Sequence, residues 1–272
     1  MLLDGSRSLF SIAGVWRGID RPLPTPPSPL RSALSQWAPT LHLDIQGTRN
    51  YHTFARQLLR RSKAPRVLVI GSRSLGSGME ALAEYPTISV VESDVELGPR
   101  PALLFDAHDI PFEDASFDGL IAQAVLEHVV DPQRCVDEIH RVLKPEGIVY
   151  AETPFMQQVH EGAFDFTRFT HLGHRRLFRF FNEIESGIAC GPGMALAWAW
   201  QYFLMSFTRT GTTRTLAKLV ARLTGWPFKY FDLYLSRRPA AFDAASGFYF
   251  MGCRSTHPIS DQQLVKLYRG AM

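Results

Sequence analysis

From residue 66 onward the chain alternates short runs rich in Val and Ile with stretches of helical spacing, and no other feature restricts the fold as strongly. The runs cover residues 67–70, 88–91, 102–105, 119–122 and 148–151, each too short for a helix. Helical spacing fills 78–85 and 132–143. In the second stretch Asp131 stands at the N-cap, Pro132 opens the first turn, and Ile139, Val142 and Leu143 share one face. Strands that alternate with helices form a parallel sheet covered on both sides. Two more strands are expected at 183–188 and 247–252, with a helix over 171–181 before the first. Two aromatic, helix-like stretches lie within 190–240, and Ser260 with Gln263 has the capping-box spacing for a last helix through Leu267. The fold class predicted is α/β: a doubly wound, mostly parallel, seven-stranded Rossmann-like sheet with a helical insertion before the last strand.

The expected organisation is a Pro-rich leader at 1–50, an α/β domain from 51–189 and 241–272, and a helical insertion or cap at 190–240. Five prolines within residues 22–29 fix φ and remove backbone donors, which favours an extended leader. Residues 51–61 carry Phe54, Leu58 and Leu59 at helical spacing and end in a basic turn. At 272 residues the chain can bury a sizeable core. A net charge of +3 excludes a general nucleic-acid surface. Cys135, Cys190 and Cys253 are odd in number and far apart, which fits a reducing, cytoplasmic setting better than a disulfide framework or a paired-ligand zinc site. Asp4 and Arg7 break any secretory signal. The apolar window 194–205 is interrupted by Gln201 and falls short of the ~20 residues that span a bilayer.

The first strand breaks into Gly71-Ser72-Arg73-Ser74-Leu75-Gly76-Ser77-Gly78. Glycines at a strand-to-helix turn let a ligand touch the backbone, although any α/β protein needs a flexible turn there. The next run ends in Glu92, where a doubly wound sheet places a carboxylate on a ribose diol. Asp106-Ala107 closes the third run, and Gln123 closes the fourth ahead of Glu127-His128. Each has a plainer reading: Glu92 and Asp106 as solvated strand ends, Gln123 as a polar helix start, His128 as a locally packed ring.

In this order the segments resemble class I S-adenosylmethionine-dependent methyltransferases of the small-molecule, type 11-like group, and the likeness covers about 65–155. It extends through Asp131-Pro132 and Arg141-Val142-Leu143-Lys144-Pro145-Glu146-Gly147. The resemblance implies S-adenosylmethionine as cofactor, with Gly71, Ser72 and Gly76 at its methionine portion, Glu92 on the ribose hydroxyls, Asp106 and Ala107 at the adenine edge, and Gln123 at the methyl end. Val69 and Arg73 depart from the family pattern, which has an acid and a glycine at those two positions. Leu41 through Asn50 mimics a glycine loop and is read as a decoy.

Acceptor groups are expected from residues 153–170, beyond the fifth strand. His160 suits a general base by its ordinary pKa, with Asp165 orienting it. The competing reading makes Asp165 and Arg168 a loop-fixing ion pair that His160 caps. This loop resembles a bacterial subset associated with glycan or glycolipid biosynthesis. Methyl transfer to a small polar or glycan-like acceptor, at oxygen, is therefore expected, with no metal required, no nucleic acid and no obligate protein partner. The alternatives are a non-catalytic binding module and an NAD(P)-dependent oxidoreductase. Residues 206–238 hold seven basic residues against Asp232 alone. Weak peripheral membrane contact, a wall over the acceptor pocket and plain core packing are the three readings of this region.

Overall fold

The structure is a computed structural model that describes residues 38–96 and 100–271. The proline cluster at 22–29 lies outside the described residues. Helix α1 (Gly47–Leu59) precedes strand β1 (Arg66–Ile70), a 3-10 helix (Met79–Glu84), β2 (Ser89–Asp94), β3 (Leu103–Leu104) and β4 (Phe117–Gln123). Helix α2 (Pro132–Val142) runs directly into β5 (Leu143–Pro154), followed by α3 (His171–Leu177) and β6 (Phe181–Cys190). Helices α4 (Pro192–Ser206), α5 (Gly211–Gly225) and α6 (Asp232–Leu235) come before β7 (Gly247–Arg254) and α7 (Asp261–Val265).

One seven-stranded sheet has the order β3-β2-β1-β4-β5-β7-β6, with β7 antiparallel to both neighbours and the strands from β3 to β5 parallel. Alternation along β1 explains its double cover. Val67 and Val69 face Tyr51, Phe54 and Leu58 of α1, whereas Leu68 and Ile70 face the side that holds Val136, Ile139 and Val142 of α2. Asp131 caps α2 as its sequence requires, accepting from Arg134 N at 3.1 Å.

Several boundaries differ from the expected ones, among them the end of the 171–181 helix at Leu177 and the start of β5 at Leu143, and two of them bear on the site. Strand β2 runs to Asp94, three residues beyond the apolar run, because parallel pairing with β1 continues through polar positions. Helix α1 begins at Gly47, where Asp44 receives Gly47 N at 2.6 Å and Thr48 N at 3.1 Å. The supposed decoy at 41–50 is thus a cap and a first helical turn. It lies against the glycine loop, with His42 Nε2 and Ser77 Oγ 3.0 Å apart.

Candidate functional site

The carboxyl ends of β1 and β4 open into a cleft with two halves of about 300 Å³ and 290 Å³. Ile70, Gly71, Ser74, Ala124 and His160 belong to both halves. Gly71 has φ +73°, and a Cβ there would meet Val125 Cγ2 at 2.3 Å, so only glycine fits. Ala124, a non-glycine residue at φ +54°, is held in place at the end of β4 by its N–H bond to Glu152 O at 3.0 Å.

The first half is lined by Asp94, Val95, Phe105, Asp106, Ala107, Val125 and Val129. Ser72 fixes the turn by donating N–H and Oγ–H to Ser93 O at 3.0 Å and 3.2 Å. Asp94 accepts from Arg73 N at 2.9 Å and Glu96 N at 3.0 Å, and its carboxylate faces the cavity. Glu92 does not reach this space. It sits in a separate groove with Leu75 and Met79 and is paired with Arg100. The acid level with the glycine turn is therefore Asp94, which lies three residues past the apolar run of β2 and so has no periodic signal in the sequence. Asp106 and Ala107 do reach the cavity. His108 Nδ1 stands 2.6 Å from Asp106 Oδ1 and its Nε2 accepts from Asp131 N at 3.1 Å, so Nδ1 carries the proton. Arg73 reaches Glu96 and Glu161, and these acids hold its guanidinium pKa up against the opposing effect of burial.

The second half holds Gln123, Glu127, Glu152, Gln157 and Cys190. Gln123 accepts from Tyr51 OH at 2.7 Å and donates to Ser77 O at 3.2 Å and Glu152 Oε2 at 3.1 Å. Its carboxamide covers Gly76, where a Cβ would fall 1.7 Å from Oε1. Tyr150 donates to the other oxygen of Glu152. Burial lifts Glu152 to about 7, although both hydrogen bonds oppose the shift. Glu127 is 1% exposed, and burial lifts its pKa to about 8. Neither of its carboxyl oxygens has a hydrogen-bond partner. Sequence reading assigned no role to these two acids. Their signal was position, since each lies at or just beyond the end of a central strand.

In the loop after β5, Asp165 contacts both Arg168 and His160. Arg168 grips Asp165 through both carboxyl oxygens, with Nη2–Oδ2 at 2.8 Å, while His160 N donates to Oδ2 at 2.9 Å and His160 Nδ1 lies 3.4 Å from it. These contacts outweigh burial and take Asp165 down to about 2. The His160 ring projects into the cleft with its Nε2 3.1 Å from that of His128. Of the insertion at 190–240, Cys190 lines the second half, while α4, α5 and α6 contribute no residue to either lining.

Residues 79–151 match the family described as a methyltransferase domain. A 60-residue stretch is 47% identical to a demethylmenaquinone methyltransferase of Clavibacter sepedonicus, covering 21% of this chain and 24% of that protein. Another, of 67 residues, is 33% identical to a mitochondrial arginine-hydroxylase of Mus musculus, covering 25% and 19%. The chain thus spans about a quarter or less of the length of these curated relatives. Among solved structures, a Burkholderia thailandensis 1,6-didemethyltoxoflavin-N1-methyltransferase with bound 1,6-didemethyltoxoflavin and S-adenosylhomocysteine aligns at a TM-score of 0.43 and 14% identity, over 87% of this chain and 93% of that one.

Proposed function

We propose that this protein is an S-adenosylmethionine-dependent methyltransferase acting at oxygen on a small polar or glycan- or glycolipid-like acceptor. The observation that carries this reading is the divided cleft: a half with two acids on adjoining strand ends and apolar walls, joined across a glycine turn to a half lined by polar and ionisable groups. The residues fit the cofactor. Asp94 spends only part of its lone-pair capacity on two backbone N–H groups and keeps acceptor sites for a ribose diol. Asp106 and Ala107 would hold the adenine, between the apolar walls of Phe105, Val125 and Val129. Gly71 and Ser72 present the turn to the methionine portion, while Gln123 and Gly76 bound its methyl end.

Bound S-adenosylmethionine supplies an electrophilic methyl group on a positive sulfonium. The protein's own contribution is orientation and exclusion of water around an in-line displacement. Arg73, drawn onto Glu96 and Glu161, keeps its charge off the sulfonium. His160, with Asp165 behind it, is the group placed to take the acceptor's hydroxyl proton. The test is calorimetric titration with S-adenosylmethionine, its demethylated product and NAD. Binding of the first two without the third is expected. A preference for NAD overturns the cofactor assignment, and binding of none leaves a non-catalytic module.

The acceptor's lipid character is supported by the insertion. On α5, Leu216, Val220 and Leu223 lie exposed along one face, and Arg214, Lys218 and Arg222 recur at four-residue spacing. Phe203 of α4, Phe207 just after it, and Phe231, Leu233 and Tyr234 add further exposed apolar side chains. A basic amphipathic helix with such a face lies in an anionic interface. No helix among the described residues is long and apolar enough to cross a membrane. Flotation with phosphatidylglycerol vesicles, falling at high salt, is expected. Equal recovery with neutral vesicles overturns the anionic preference, and absence of recovery with either overturns the contact.

A further inference from the structure

We propose that Glu127, His128 and His160 bind a divalent first-row transition-metal ion, such as Zn²⁺, on the wall between the two halves of the cleft. One ligand atom from each lies within 4.8 Å of the others. His128 Nε2 is 3.6 Å from Glu127 Oε1 and 3.1 Å from His160 Nε2. An ion held about 2.0–2.1 Å from two imidazole nitrogens keeps them roughly 3 Å apart.

The hydrogen bonds behind the rings select the tautomers that a metal needs. His128 Nδ1 lies 2.8 Å from Phe164 O, and a carbonyl can only accept, so the proton is on Nδ1. His160 Nδ1 faces two acceptors, Gln158 O at 3.3 Å and Asp165 Oδ2 at 3.4 Å. The two Nε2 atoms stand 3.1 Å apart, a separation that suits either one proton shared between the rings or an ion coordinated by both. The independent sign of a ligand is Glu127, whose carboxyl oxygens are buried beside this pair without a hydrogen-bond partner. Orphaned buried carboxylates are costly, and coordination removes the cost. The outer contacts complete the arrangement, because metal-binding histidines donate their other nitrogen to a carbonyl or carboxylate.

Two imidazoles and a carboxylate suit zinc, iron, cobalt or nickel and leave positions for water or an acceptor oxygen. His128 borders the first half, Glu127 the second and His160 both, so an acceptor oxygen on the ion would sit beside the methyl donor. That use rests on the methyl-transfer reading, but metal binding does not. Coordination would replace the free-base role of His160 by lowering the pKa of the bound oxygen. The 32-position separation of the two histidines conceals the site in sequence.

The test uses the tag-free full chain, stripped with a chelator and titrated with Co²⁺, following its visible absorption, and with Zn²⁺ by calorimetry. One equivalent of each is expected to bind. His160→Gln should weaken binding at least 100-fold, Glu127→Gln by a similar factor, and Asp165→Asn by roughly 10–100-fold, the range for groups behind a ligand. Circular dichroism melting confirms that each variant is folded. Equal Co²⁺ affinity in wild type and a folded His160→Gln overturns the proposal, as does a proton shared between the two rings, seen by nitrogen-15 NMR, in wild-type protein that binds no metal. Titrating the same samples with S-adenosylhomocysteine separates the two readings. Intact nucleoside binding without metal binding removes the ion alone, and the reverse removes the methyl-transfer assignment alone.

Discussion

Asp94 and Glu92 stand two residues apart on β2, yet one faces the cleft and the other is tied to Arg100 in a different groove. Losing a hydrogen bond to a charged group costs about 1–3 kcal/mol. Asp94→Asn should therefore weaken S-adenosylhomocysteine binding by roughly one to two powers of ten, while Glu92→Gln leaves it within about twofold. Isothermal titration of both variants checks the assignment, and the opposite ranking restores Glu92. Glu152 gives a second test at this scale. Its pKa of about 7, above the usual carboxyl value of 4.5, means that the folded protein keeps a proton that the unfolded chain releases. The contribution of Glu152 to stability should therefore fall as pH rises from about 4.5 to about 7 and then level off. Glu152→Gln removes this dependence, so the variant's melting temperature relative to wild type should be higher at pH 8 than at pH 5. A constant difference would contradict the raised pKa.

Elements with local signals were legible in the sequence. Asp131-Pro132 fixed the start of α2 through its cap and its preset φ, and the Ser260/Gln263 box is present at α7 as expected. The central strands β1, β4 and β5 were visible because burial on both faces demands continuous apolar runs. What stayed hidden depends on distant partners. Polar Ser93 and Asp94 belong to β2 only because β1 and β3 lie beside them. The start of α4 is another case. Asp232, 39 positions away from Gly193, accepts Gly193 N at 2.7 Å and Met194 N at 2.8 Å and is fully buried. No local window contains that cap. Asp232→Ala strands two buried N–H groups and should destabilise the protein by about 2–4 kcal/mol. Chemical denaturation followed by circular dichroism measures the loss, and a change under about 0.5 kcal/mol, as at ordinary surface sites, would show that the cap is dispensable.

Across the whole molecule, the insertion and the cleft are linked through a segment that sequence reading set aside. Lys229 lies beyond α5 at 5% exposure and donates to Thr40 O at 2.8 Å and His42 O at 3.2 Å. Leu43 N points to Met194 Sδ at 3.3 Å, and His42 meets Ser77 in the glycine loop. His42 and Ser77 both line the second half of the cleft. The ammonium group therefore holds a strap whose other face helps to position the turn assigned to the methionine portion. Lys229→Met keeps most of the buried stem and removes the donors, leaving two carbonyls without their charged partner. Exchange protection at 40–48 should fall, and S-adenosylhomocysteine affinity should drop by roughly three- to thirtyfold. Vesicle flotation should stay unchanged, because the exposed apolar face of α5 is untouched. Hydrogen exchange with and without S-adenosylhomocysteine separates this linkage from general unfolding: loss confined to 40–48 and 71–78 supports it. Protection lost evenly across the sheet would instead make Lys229 a support of the fold with no particular connection to the cleft.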